Sequence, residues 1–335
     1  MANRFIESTF GTPGNFELVT RDGGNPAKLV HLWRGSDFVW QPELSQAANS
    51  SDLISSNAGS PGAIIQSSFG TPDHPGNFEV LVLEGTDLVH YYRDNSNPSS
   101  NWQRTRAVSD KATGAASFIQ SNLKGNSDAP GNFEAVVLEG ANLVHYYRDN
   151  SIPEYPWIST SVITSQARSP GCIIQSNLGP PGSPGNFEVV VLEPGGLVHY
   201  FRDNSTQDPQ WNRTTVISTE AASSASIIQS NLGPGNLELV VLEGEALSEQ
   251  KSLVHYYRSN DTWIRTVTIS PQSQGPACLI QSRYGTPGNF EVVVLEGVKG
   301  AHALIHYWRD NGVEPPQWQS GGVVTQFPFD SVNDG

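Results

Sequence analysis

Apolar residues in this chain gather in short runs rather than in long or helical stretches. Runs such as Val80–Leu83 and Val189–Leu192 are rich in β-branched residues and are bounded by Gly, Pro, Asn and Asp. No window keeps the spacing of an amphipathic helix, so the pattern predicts strands throughout. The runs also recur in a fixed order. Ile-Ile-Gln-Ser or a relative comes first, as at Ile64–Ser67 and Ile227–Ser230. Gly-Asn with Phe-Glu or Leu-Glu follows, its Asn standing at Asn15, Asn77, Asn132, Asn186, Asn236 and Asn289. Next comes Leu-Val-His-Tyr-Tyr-Arg or a close variant, carrying His31, His90, His145, His199, His255 and His306. One Trp closes each unit, at Trp40, Trp102, Trp157, Trp211, Trp263 and Trp318.

The Gly-Asn dipeptides lie 62, 55, 54, 50 and 53 residues apart, so six units consume the whole chain. Four short strands in a unit of about 50 residues is the mark of radial sheet repetition. The expected fold is all-β: a single domain over 1–335 forming a six-bladed β-propeller, four antiparallel strands per blade. The blades are expected at about 4–45, 62–110, 116–165, 171–219, 225–270 and 277–326. A parallel β-helix would need shorter coils, and a string of small domains would need linkers. The Ile-Ile-Gln-Ser run is assigned innermost, because the residue leading into it is small in five repeats: Ala63, Ser117, Cys172, Ser226 and Cys278. Arg4 is the exception. Alternating strand direction then places the loops into the first strand and out of the second on one face. The Gly-Asn and Arg-Asp-Asn turns fall on the other. Since the first repeat opens with an inner strand and the last ends with an outer one, the ring is expected to close without exchanging strands.

Charge narrows the partners. A formal net charge of -14 and a pI near 4.9 repel phosphate backbones and anionic lipid, so neither nucleic acid nor membrane is an expected partner. No apolar run is long enough to span a bilayer, and Met1–Phe10 lacks a basic-then-apolar pattern, so a cytoplasmic location is expected. Cys172 and Cys278 occupy equivalent positions in two repeats and read as small core residues rather than a disulfide framework.

One histidine per repeat at one strand position spreads the imidazoles around a ring, too far apart to share a metal. No metal or other cofactor is expected. A cross-strand ion pair is expected in each repeat between the Glu of the second strand (Glu17, Glu79, Glu134, Glu188, Glu238, Glu291) and the Arg of the third (Arg34, Arg93, Arg148, Arg202, Arg258, Arg309). The tryptophans are expected between blades. The acidic turns at Arg21–Gly24 and Asp330–Asp334 lack the ligand spacing of calcium loops and read as solvated turns. No catalytic triad, phosphate loop or dinucleotide signature stands out.

Selectivity in a repeat ring is expected where repetition breaks. Glu7 replaces the Gln of the other repeats, and Arg4 the small residue near it. Arg21 stands where the others have Glu84, Glu139, Glu193, Glu243 and Glu296. Repeat five inserts Glu245–Lys251, repeat six inserts Val298–His302, and repeat one makes an excursion at Glu43–Gly59. With Lys111, Phe118 and Arg168 at neighbouring lead-ins, these features are expected around one mouth of the central channel as a composite pocket.

The pattern seen most clearly at Gly131–Asn150, Gly-Asn-Phe-Glu-Ala-Val-Val-Leu-Glu-Gly through Leu-Val-His-Tyr-Tyr-Arg-Asp-Asn, resembles two groups. One is a large set of propeller repeats that includes lectins of the Photorhabdus type. The other is the six-bladed hetero-Diels–Alderases of fungal tropolone sesquiterpenoid pathways. The second resemblance implies a cofactor-free enzyme that dehydrates a hydroxymethyl-tropolone and steers the quinone methide onto a terpene alkene, so its partner is a small apolar polycyclic or terpenoid substrate. That chemistry needs proton transfer and a dry, shaped cavity. Glu7 with Arg4 would act as the acid/base pair, and His302, Lys299 or Lys251 would polarise the tropolone oxygens. Arg21, Lys111, Phe118, Arg168 and Lys251 would line the substrate. The first resemblance implies a lectin without chemistry, its glycan held by aromatic faces and by the Arg-Asp-Asn turns (Asp94, Asn95, Asp149, Asn150, Asp203, Asn204).

Overall fold

Six β-sheets of one plan stand around a common axis in the computed structural model. It describes residues 3–328 except 72, 98, 126, 127, 153, 246, 247, 249, 299 and 300. Blade one holds β1 (Phe5–Glu7), β2 (Phe16–Arg21), β3 (Leu29–Arg34) and an outer strand in two pieces, β4 (Trp40–Gln41) and β5 (Leu53–Ser55). A single helical turn, α1 (Leu44–Ala47), lies between those pieces. Blade two holds β6 (Ala63–Gln66), β7 (Phe78–Glu84), β8 (Asp87–Arg93) and β9 (Gln103–Ser109). Blade three holds β10 (Ala116–Gln120), β11 (Phe133–Glu139), β12 (Asn142–Arg148) and β13 (Trp157–Thr164). Blade four holds β14 (Cys172–Gln175), β15 (Phe187–Glu193), β16 (Gly196–Arg202) and β17 (Trp211–Ser218). Blade five holds β18 (Ser226–Gln229), β19 (Leu237–Glu243), β20 (Lys251–Ser259) and β21 (Thr262–Ser273). Blade six holds β22 (Cys278–Gln281), β23 (Phe290–Val298), β24 (Ala301–Arg309) and β25 (Trp318–Pro328).

Within each blade consecutive strands pair antiparallel, and among the described residues the named strands of different blades pair only at Ser273–Glu296, which joins blades five and six in one sheet. Each blade is built from contiguous chain, so the ring closes without strand exchange. The second strands read as unbroken apolar runs because neighbouring blades cover both their faces: Val189, Val190 and Val191 are all fully buried. The outer strands face water on one side, and β13 is exposed along most of its length. The hydrophobic core is therefore a set of clusters lying between blades, such as Phe187, Val189 and Tyr200 of blade four against Val136 and Leu143 of blade three.

Two of the departures from repetition are extensions of strands. Val298 pairs with Ala301 and Gly297 with His302, so the insertion in repeat six lengthens the β23–β24 hairpin. The Glu43–Gly59 excursion starts inside the outer strand of blade one, since β5 returns to pair with β3 before the chain enters blade two.

Candidate functional site

The site follows from strand parity. In blade three Phe133 lies directly opposite Arg148, and Arg148 opposite Trp157, so these three share one face of the sheet. Glu134 lies opposite Tyr147, and His145 is two positions away on the same face as both. Glu and Arg of one blade therefore point to opposite sides. This corrects the expected cross-strand ion pair: each Glu accepts from the Nε2 of its own blade's His at 2.8–2.9 Å. Its second oxygen accepts from the Ser of the Ile-Ile-Gln-Ser run at 2.7–3.1 Å. In every blade but the fifth the Arg turns the other way and lies over its own Phe and Trp, in the cleft to the preceding blade. Arg148, for example, sits 4.2 Å from the centre of the Phe133 ring and 5.8 Å from that of Trp157. Its Nη1 reaches His90 Nδ1 of blade two at 3.5 Å; Arg202 meets His145 at 3.5 Å and Arg34 meets His306 at 3.4 Å.

The partners set the proton positions. A carboxylate can only accept, so the imidazole Nε2 carries the proton and Nδ1 accepts from the next blade's guanidinium. Burial holds the imidazoles of His90, His145 and His255 below their ordinary value, against the pull of Glu79, Glu134 and Glu238. Burial also pushes the Arg148 guanidinium down to about 10, with Glu79 of the preceding blade opposing it. The clefts at His90 and His145 thus hold carboxylate, imidazole and guanidinium in a line. The tryptophans pack across these clefts as expected, Trp157 on His90 at 6.1 Å and Trp211 on His145 at 5.6 Å.

Two cavities are copies of this arrangement. One, of about 400 Å³, lies between blades two and three over His90 and Arg148; the other, of about 350 Å³, lies between blades six and one over His306 and Arg34. Both open on the face of the Gly-Asn turns. Each is walled by an aromatic residue from the Gly-Asn loop of the preceding blade, Phe69 or Tyr284, and by one just ahead of the closing Trp, Tyr155 or Phe38. Phe69 meets Tyr155 at 6.0 Å and Tyr284 meets Phe38 at 5.9 Å. Tyr155 and Phe38 are exposed yet held in the left-handed region, at φ 46° and 59°. Left-handed backbone in bulky residues is unfavourable and collects at ligand sites. In the six-one cleft Gly321 stands where Thr105, Thr160, Thr214 and Thr266 meet the histidine Nδ1 in blades two to five, and a Cβ there would lie 2.2 Å from His306 Nδ1.

The other clefts are furnished differently. Between blades one and two, Asp52 from the excursion places Oδ1 3.7 Å from Arg93 Nη1 and 3.8 Å from His31 Nδ1. In blade five Leu237 stands in place of Phe, and Arg258 pairs with Asp261 at 2.6 Å instead. The turn residues offered to a glycan are spent internally. Asp149 accepts from the backbone and hydroxyl of Ser151, while Asn150 accepts from Arg148 Nε and donates to the Gly131 carbonyl. Asp94 with Asn95, and Asp203 with Asn204, repeat this.

The residues expected around one mouth are not gathered in any of the cavities. Arg4 and Glu7 sit at opposite ends of β1, because an inner strand runs from the lead-in face to the turn face. Arg4 is buried and donates to the Pro276 carbonyl at 3.1 Å. Glu7 accepts from the Arg283 backbone at 2.9 Å and pairs with Arg283 Nε at 3.3 Å. Phe118 is fully buried against Phe133 between blades two and three. Arg21 ends β2, Lys111 and Arg168 are exposed on separate blade connections, and Lys251 donates to the Ser248 carbonyl. His302 lies on the β24 extension, opposite Phe327 of β25. Lys299 and Asp330–Asp334 lie outside the described residues. Two further cavities lie beside α1 (Lys28, Glu43, Gln326) and over the inner turns (Gln120, Asn122, Gln175). None of the four is lined by Arg4, Glu7, Arg21, Lys111, Phe118, Arg168, Lys251 or His302.

The four wall residues, Phe38, Phe69, Tyr155 and Tyr284, escaped the sequence reading. Their signal was present: only repeats one and three carry an aromatic residue two places before the closing Trp. It lay in loops of unequal length, where repeats align poorly.

No protein-family model matches the sequence, and no curated protein matches it. Among solved structures the chain is similar to the Aleuria aurantia lectin, a fungal lectin described as a six-bladed β-propeller, at 15% identity over 96% of this chain and 94% of that one, with a TM-score of 0.62. The same lectin in complex with Fucα1-6GlcNAc matches at 14% identity, 93% and 92% coverage and a TM-score of 0.60. The Penicillium chrysogenum α-L-arabinanase complexed with arabinobiose matches at 12% identity over 80% of this chain and 88% of that one, with a TM-score of 0.51. At these identities the likeness shows the fold alone, a β-propeller shared with lectins and carbohydrate-active enzymes, six-bladed in the Aleuria aurantia lectin.

Proposed function

We propose that this protein is a lectin-like binding module whose two open inter-blade clefts each hold a sugar ring. The observation that carries the reading is the pair of strained, exposed aromatic residues, Phe38 and Tyr155, set in matching places over a buried guanidinium. An aromatic face supports the apolar side of a pyranose, and a guanidinium fork donates to its oxygens. Cavities of about 400 and 350 Å³ fall in the range of small-ligand sites. The similar fold of fucoside- and arabinobiose-bound proteins supports a carbohydrate as the ligand class.

The hydrogen bonding of the carboxylate at the cleft base supports binding over hydrolysis. A glycosidase needs a carboxyl group with a proton to give. Glu79 at the cleft base instead accepts from Ser67 and His90 on both oxygens. The hetero-Diels–Alderase reading asks for Arg4, Glu7 and His302 around one dry cavity, and nothing in the arrangement of their partners favours it. A glycan array with the purified chain tests the proposal. Capture of a defined glycan, weakened when both Phe38 and Tyr155 are changed to Gly, is the expected result; silence across the array overturns it.

A further inference from the structure

The six copies of the caged arginine differ in what faces them, and the difference speaks to ligand chemistry. In the first cleft the chain supplies its own occupant: Asp52 is delivered by the excursion to Arg93 and His31, at 3.7 and 3.8 Å. Blade five supplies Asp261 to Arg258 at 2.6 Å. In both cases the group that meets the guanidinium is a carboxylate. Among the described residues, no carboxylate lies within 4.0 Å of a nitrogen of Arg34, Arg148, Arg202 or Arg309, and of these four it is Arg34 and Arg148 that line the two cavities described above. Glu79 and Glu291 lie on the far side of the intervening imidazole, and their oxygens are taken by Ser67 with His90 and by Ser282 with His306. The rim charges of the two-three cleft, Arg106 and Glu154, offset each other at 3.9 Å.

We infer that Arg34 and Arg148 are receptors for a carboxylate, that the sugar they take is an acidic one of the uronic type, and that Asp52 is the built-in occupant of the equivalent place in the first cleft. This deepens the lectin-like reading and rests on it for the sugar, though not for the carboxylate. The physics is that of a partly desolvated cation. Both guanidiniums are buried under aromatic rings, and an incoming anion makes charge-assisted, two-pronged hydrogen bonds where water is largely excluded. Burial holds the Arg34 and Arg148 guanidiniums below their ordinary pKa, and a bound anion would oppose that shift. The overall charge of -14 does not forbid this, because salt screens it beyond about 8 Å.

The experiment is calorimetric titration at about 0.15 M salt, where that screening holds, with four probes: methyl glucuronide, methyl glucoside, acetate and benzoate. The glucuronide is expected to bind about tenfold or more tighter than the glucoside, with two sites per chain. Asp52→Asn is expected to raise the count toward three. Arg34→Lys with Arg148→Lys, which keeps charge but loses the fork, is expected to abolish the preference. Equal affinity for glucuronide and glucoside overturns the carboxylate assignment and leaves a neutral-sugar lectin standing. Binding of benzoate or acetate as tight as the glucuronide, with a silent array, supports the carboxylate receptor and removes the sugar. No binding by any of the three acids overturns the inference. An unchanged site count in folded Asp52→Asn overturns the role given to Asp52.

Discussion

Glu7 of the first blade accepts a hydrogen bond from the backbone N–H of Arg283 in the sixth, at 2.9 Å, and its carboxylate pairs with Arg283 Nε at 3.3 Å. Five other inner strands make the same reach with a Gln side chain. Gln66, Gln120, Gln175, Gln229 and Gln281 accept from the backbone of Thr9, Ser68, Asn122, Asn177 and Asn231 at 2.7–2.9 Å. In three of them the amide then donates to the Asn side chain, as Gln175 does to Asn122 Oδ1 at 2.7 Å. A carboxylate has no proton to donate, so the partner at the seam is a cation. Glu7 and Arg283 are thus matched departures from one repeated clasp, and they hold the ring shut where no strand is exchanged.

Changing one half of the seam should therefore hurt, and changing both should heal. Glu7→Gln leaves Arg283 without its carboxylate and is expected to cost about 1 kcal/mol, kept small because Arg283 is largely exposed. Glu7→Gln with Arg283→Asn restores the repeated clasp and should recover most of that loss. Urea unfolding of the four proteins gives the coupling directly. Additive losses would remove the seam from the account of closure.

Gly321 should be intolerant where its neighbour is not. An alanine Cβ at 321 would lie 2.2 Å from His306 Nδ1, so His306 must leave Glu291 or the strand must shift, a loss of about 2 kcal/mol. Gly322 has φ 94° but nothing within 4 Å of the added atom, so Gly322→Ala should cost about 1 kcal/mol from backbone strain alone. Thermal unfolding of the pair checks the order.

Replacing Tyr155 by Gly separates binding from folding. Its φ of 46° is unfavourable for a side chain and free for glycine, which offsets the lost contact with Phe69. Stability should change by less than about 1 kcal/mol, while ligand affinity at the two-three cleft falls. A large loss of stability with unaltered binding would make the ring scaffold.

Acidification should destabilise the ring. His90, His145 and His255 are held below the ordinary value of 6.5 by burial, so below pH 6.5 the unfolded chain takes up protons that the folded one refuses. Stability then falls as pH drops, by at most about 1.4 kcal/mol per pH unit for each such histidine. Glu243 adds in the same sense. Burial pushes it up, but Ser218, Tyr256 and Arg265 outweigh burial and hold it below the ordinary value. Its contribution is present above that ordinary value and is lost as pH falls through the lowered one. Urea midpoints at pH 7.5 and 5.5 check the histidine part, which His90→Gln should make smaller, and a further midpoint at pH 3.5 checks the Glu243 part.

The scaffold was legible because it is written six times. Apolar runs at strand length, punctuated by Gly and Pro, admit one closed arrangement once their number and order are known, and even closure without strand exchange followed from where the repeats begin and end. The opposite facing of Glu134 and Arg148 was also latent in the register, since neighbouring positions on a strand project to opposite sides. What each side chain meets beyond its own sheet belonged to the tertiary structure. Glu7 read as the companion of Arg4 until folding set Arg283 beside it, and Arg148 as the partner of Glu134 until His90 of another blade stood across the cleft. The same holds for the candidate site. Phe69 and Tyr155 come from different repeats, and only the packing of two blades makes their rings the walls of one cavity. Periodicity is a property of neighbours along the chain, whereas a cleft is made by surfaces whose separation in sequence carries no local signal.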